Sequence, residues 1–83
     1  MVTNNTIGGE MPERTDWETK ARGTVRAEMA RQNVTYAQLV EKLAALGHEE
    51  DERNLRNKIS RGKFSAAFLF QCMEAIEVSE IRL

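Results

Sequence analysis

With one cysteine, one histidine, one proline and one tryptophan among 83 residues, the sequence has little room for several kinds of chemistry. The lone Cys72 cannot form an intramolecular disulfide, so the chain must fold without covalent staples, and a reduced, cytoplasmic setting is expected. With only His48 beside it, Cys72 cannot build a zinc site of Cys and His ligands within one chain, and no metal is expected. There is no second histidine, no glycine-rich phosphate loop, and no HExxH or GxSxG segment. The sequence is therefore not expected to be an enzyme or to hold a cofactor. No apolar run approaches the roughly 20 residues that span a bilayer, and the N-terminus lacks a basic start followed by an apolar stretch. No membrane association is expected. Neither sign of charge prevails: 12 basic side chains face 13 acidic ones, giving a net charge of -1. That balance argues against blanket affinity for polyanions and leaves local patches as the electrostatic signal.

The sequence does have ordinary globular material, with 41% hydrophobic and 30% charged residues, enough for one small domain with a compact core. Residues 1–14 carry adjacent glycines, the only proline and almost no periodic apolar content, so they are read as a flexible N-terminal tail before a domain at 15–83. From Thr15 the pattern becomes helical. Thr15 and Glu18 have capping-box spacing, and Trp17, Ala21, Val25 and Met29 recur every four residues as an inward stripe, which ends at Asn33, a residue tolerant of left-handed backbone. Thr35 and Gln38 form a second capping box, Val34 can staple onto Leu39, and Leu39, Val40, Leu43 and Leu46 give a buried face that Gly47 closes. After a connection from His48 to Asp51, a short polar helix is expected from Glu52 to about Arg61, capped by Asp51, anchored by Leu55 and Ile59, and closed by Gly62. A fourth helix is expected after Ser65, with Phe68, Leu69, Cys72, Met73 and Ile76 on one broad face. The fold class is therefore all-α, a compact bundle of four to five helices.

The feature with most chemical content is Arg53 to Lys63, RNLRNKISRGK, with five basic residues and no acidic one. At about 100° per residue, Leu55 and Ile59 fall on one side of a helix and Asn57 opposite them. Arg53, Ser60 and Arg61 flank Asn57, and Arg56 and Asn54 lie at the margins. Such a face suits the major groove, because Arg can pair with guanine through two hydrogen bonds and Asn likewise with adenine, while Lys58 and Lys63 can hold phosphates. The alternative is a plain solvated surface, since these residue types are common outside. Tyr36, in the first turn of the second helix, can contact a phosphate or simply cover the core. The acidic run Glu49 to Asp51 and Glu52 would meet phosphates unfavourably, yet carboxylates near a helix N-terminus also have a structural reason to be there.

The order of a capped amphipathic helix, a glycine-containing connection and a short polar helix is that of a helix-turn-helix. Thr35-Tyr-Ala-Gln-Leu39-Val-Glu-Lys-Leu43 resembles the first motif helix of lambda-repressor-like, Xre-type domains, and Ile59-Ser60-Arg61-Gly62-Lys63 with the apolar helix after Ser65 resembles the stretch just C-terminal to their recognition helix. More closely, Asn54-Leu-Arg-Asn-Lys-Ile-Ser-Arg-Gly-Lys-Phe-Ser-Ala-Ala-Phe-Leu69 resembles the signature of a family of small bacterial proteins described as a domain of unknown function. The resemblance spans about Trp17 to Val78. It implies a lambda-repressor-like helix-turn-helix fold and, by analogy with the wider Xre group, double-stranded DNA as partner and transcription regulation as role. Glu77 stands where the unknown-function family tends to have glycine, so the fourth helix is expected to end differently.

Phe70 points away from the stripe of Phe68, Cys72 and Ile76. With Ile81 and Leu83 it is a candidate surface for self-association, as in a homodimer reading two half-sites, or for another protein. The competing functional reading is accordingly an interaction module, an adaptor or antitoxin-like partner, that keeps the scaffold without binding DNA.

Overall fold

The computed structural model describes residues 15–82, which form four helices with no strand among them. The expected tail at 1–14 and the terminal Leu83 lie outside the described residues. The helices are α1 (Asp16–Arg31), α2 (Tyr36–Ala45), α3 (Glu52–Arg61) and α4 (Ala66–Ala75).

Local chemistry sets every start. Thr15 Oγ1 accepts from the Glu18 amide at 3.1 Å while Glu18 accepts from the Thr15 amide at 2.8 Å, and Thr35 and Gln38 repeat the box at 3.1 and 2.9 Å. Asp51 accepts from the Arg53 amide and Ser65 from the Phe68 amide, satisfying donors that a helix N-terminus leaves free. Three of the ends share one geometry. After α1, α2 and α4, a residue with positive φ (Asn33, Gly47 and Glu77) lets the next amide, of Val34, His48 or Val78, reach back to the carbonyl of Met29, Leu43 or Met73 at 2.8 to 2.9 Å. The expectation for Glu77 is thereby corrected: α4 ends as α1 and the glycine-terminated α2 do, with Glu77 at φ 63. The hydrogen bond from Val78 and its packing against the core offset the steric cost of a Cβ in that conformation.

The core gathers one face from each helix: Val25 and Met29, Leu39 and Leu43, Leu55 and Ile59, then Phe68, Cys72, Met73 and Ile76. Helix α3 packs on α1 and α2, and α4 packs on the same two helices from another side. Burial pushes the Cys72 thiol up to about 12, with the Glu50 charge adding and Lys58 opposing, so it stays a protonated, inert core residue at neutral pH.

Two core assignments from the periodicity are corrected. Trp17 is 77% exposed, because the first turn of α1 meets the end of α3 through the Glu18 backbone at Gly62 and not through the indole, which borders an open groove with Leu69 and Ile81. Leu46 is 42% exposed, because it is the C-cap of α2 and projects beyond the packed face toward His48 and Phe70.

Glu28, only 3% exposed, is the one charged residue buried among the described residues. Arg31 donates to it twice, at 3.2 and 2.9 Å, and Arg82 Nε lies 3.8 Å away, tying the segment after α4 back to α1. The hydrogen bonds from Arg31 hold its carboxyl below the usual 4.5, against an opposing effect of burial and with help from the charges of Arg31 and Arg82. A carboxylate with a depressed folded-state pKa contributes stability that is present above its unfolded-state pKa and is lost as pH falls through the folded value. The melting temperature of wild type above that of Glu28→Gln should therefore be largest near neutral pH and shrink below about pH 4.5. A difference that stays constant down to about pH 3 would show that the ion pair does not form.

Candidate nucleic-acid interface

Helix α3 is positioned from below by Leu55 and Ile59, both without solvent exposure, and from its C-terminal end by Gly62. Gly62 has φ +70, and a Cβ built on it would overlap the Glu18 carbonyl oxygen and lie 2.8 Å from the carbonyl carbon. Only a glycine lets the end of α3 sit this close to the first turn of α1. The helix cannot roll about its axis without exposing two aliphatic side chains, so its outward face is fixed.

On that face Arg53, Asn54, Asn57 and Arg61 are exposed, and Lys63 is exposed just past the helix. Arg53, Asn57 and Arg61, on the side opposite the buried pair, have no side-chain hydrogen bond or ion pair to another described residue.

The margins are different. Arg56 is paired with Glu52 at 2.6 Å and stacks on the Tyr36 ring, its guanidinium carbon 4.7 Å from the centroid. Lys58 is paired with Glu50 at 3.0 Å and lies 4.5 Å from the centre of the Phe68 ring, on the flank of α3 toward α4. Two of the expected basic contacts thus have intrachain partners. Such pairs near the surface are worth little, about 0 to 1 kcal/mol, so they can exchange for phosphates. The acidic run is largely occupied too: Glu50 and Glu52 hold these cations and Asp51 caps the helix. Ser60 is half-buried, and its hydroxyl lies 3.5 Å from Nη2 of Arg26.

Arg26 is the residue that sequence reasoning missed. It comes from α1, donates from Nε to the Tyr36 hydroxyl at 3.1 Å, and so brings a guanidinium to the flank of α3 on which Arg56 and Ser60 lie. Tyr36 is half-buried, packs on the core and holds its hydroxyl outward, so covering the core and reaching a phosphate are compatible roles for it.

The second candidate surface lies on α4. Phe70 is 61% exposed and borders an open groove of about 490 Å³ with Met73, Val78 and Ile81. Ile81 also packs on the core, whereas Leu83 lies outside the described residues. Among the described residues, no three His, Cys, Asp or Glu side chains group as metal ligands, and no helix is long and apolar enough to cross a membrane.

No curated protein and no solved structure matches the chain. A family match covers residues 17–81, from the first turn of α1 to the segment after α4, and so includes both candidate surfaces. The chain therefore belongs to the family described as Domain of unknown function (DUF6471).

Proposed function

We propose that the protein binds double-stranded DNA as a small transcriptional regulator, with α2 and α3 as the two helices of a lambda-repressor-like helix-turn-helix and α3 in the major groove. The observation that carries the reading is the outward projection of Arg53, Asn57 and Arg61 from a helix anchored by Leu55 and Ile59, with no intrachain polar partner among the described residues. Arginine and asparagine are the side chains that pair with guanine and adenine edges, and Lys63, Arg56 and Lys58 surround them with charge for phosphates. The overall charge of -1 is compatible with this reading, because the acids nearest α3 are engaged in pairs and a cap.

Duplex affinity measured against salt tests the proposal. With three phosphates neutralised by Lys63, Arg56 and Lys58, the slope of log K against log salt is about -2.7, so affinity should fall roughly fortyfold between about 50 and 200 mM salt. Absence of binding at the lower salt would remove the proposal.

A specific observation favours a second reading, a protein-interaction module of the adaptor or antitoxin-like kind: the exposed Phe70 ring beside the apolar groove that includes Ile81. The two readings are compatible if the groove takes a second copy of the chain, because a homodimer would present two α3 helices to half-sites one helical turn apart. They separate if DNA does not bind.

A further inference from the structure

The junction of α1, α2 and α3 holds a group of donors that no acceptor among the described residues fully satisfies. Arg26 Nε donates to the Tyr36 oxygen, so the phenol hydrogen is free to donate elsewhere. Arg56 stacks on the same ring and gives one terminal nitrogen to Glu52, leaving its other N–H groups available. Arg26, Tyr36 and Arg56 line one open cavity of about 540 Å³, together with the apolar Met29 and Val34. Two cations and a hydroxyl donor thus face a space whose one carboxylate, Glu52, neutralises only half of that charge.

We propose that Arg26, Tyr36 and Arg56 form a seat for a phosphate group. A tetrahedral phosphate presents several acceptor oxygens in different directions, matching donors that come from three helices, whereas a planar carboxylate presents two. Arginine suits this task because its planar donors stay charged and can take an oxyanion edge-on while the guanidinium face rests on an aromatic ring. The seat deepens the DNA reading by naming a backbone contact contributed from α1, outside the two motif helices. It does not require that reading, since free phosphate would use the same donors.

Two arms of one experiment separate the sources. In the first, duplex affinity of the full chain is followed against salt for wild type, Arg26→Gln and Tyr36→Phe, the last keeping the ring beneath Arg56. Loss of one phosphate contact reduces the magnitude of the log-log slope by about 0.9, the change expected for Arg26→Gln, whereas a merely structural role would leave the slope alone. In the second arm, inorganic phosphate is titrated into wild type while the Nε–H resonances of Arg26 and Arg56 are followed, with sodium chloride at matched ionic strength as control. A reduced slope assigns the seat to the DNA backbone. A saturable phosphate shift with an unchanged slope, or with no duplex binding at all, assigns it to free phosphate. An unchanged slope, or no duplex binding, together with no saturable shift overturns the seat. Duplex binding by wild type with a normal slope in Arg26→Gln would leave the α3 reading standing, so the two ideas fail separately.

Discussion

Gly62→Ala is expected to lower the melting temperature by roughly 12 to 24 °C, the consequence of losing about 3 kcal/mol from a domain of this size. Two costs combine. A residue with a Cβ at φ +70 carries left-handed strain of about 1 to 2 kcal/mol. The new methyl would also overlap backbone atoms of Glu18, which cannot swing aside as a side chain could, and forced overpacking of this kind adds about 1 to 3 kcal/mol. Against a total stability on the order of 5 to 10 kcal/mol, that is a large fraction. Gly47→Ala is the natural comparison, because Gly47 has φ +91 but no atom within 4 Å of its built Cβ, so only the strain remains. A thermal melt of both variants isolates the close approach of α3 to α1. Equal losses would mean that this contact does not hold α3 in place.

The parts of the fold that were legible in the sequence were those decided within a turn or two of chain. The two capping boxes, the Asp51 and Ser65 caps and the terminators Asn33, Gly47 and Gly62 all involve hydrogen bonds between residues two to five apart, so their residue types announce them. Periodicity also identified the inward faces, since Leu55 and Ile59 or Phe68 and Cys72 must be covered by something. Coverage itself was not legible. Trp17 and Leu46 continue their stripes, but each sits at a helix end where the neighbouring elements leave its side chain largely uncovered, and only the tertiary arrangement reveals that. Glu77 shows the converse, a locally unfavourable residue held in place by the packing of Val78.

The candidate interface divides along the same line. Its centre was readable because Arg53, Asn57 and Arg61 lie on one helix, where spacing alone fixes their common direction. Its margins were not. The Arg26 contact with Ser60 spans 34 residues, and no local pattern on α1 distinguishes Arg26 from the other arginines there. Lys58 has the composition of a phosphate contact, yet it lies over Phe68 and pairs with Glu50, a placement set by where α4 and the α2–α3 connection run. Glu28 was silent because its burial, unlike its local pairing with Arg31, is set by the tertiary arrangement.

The largest functional effect should come from replacing Arg53, Asn57 and Arg61 together by alanine. None of the three is buried or paired among the described residues, and alanine favours helix, so α3 should keep its fold while losing its outward donors. Each bidentate contact to a base edge is worth about 1 to 3 kcal/mol, so three contacts amount to at least about 3 kcal/mol, or more than roughly a hundredfold in affinity. That is enough to bring specific binding close to the non-specific level. The most direct measurement is therefore the affinity of wild type and of this triple variant for a duplex selected by wild type from random sequence, with helicity checked by circular dichroism. The expected result is at least a hundredfold weaker binding by a variant of undiminished helicity. Equal affinities, or a wild type that selects no duplex, would contradict the assignment of the α3 face to DNA.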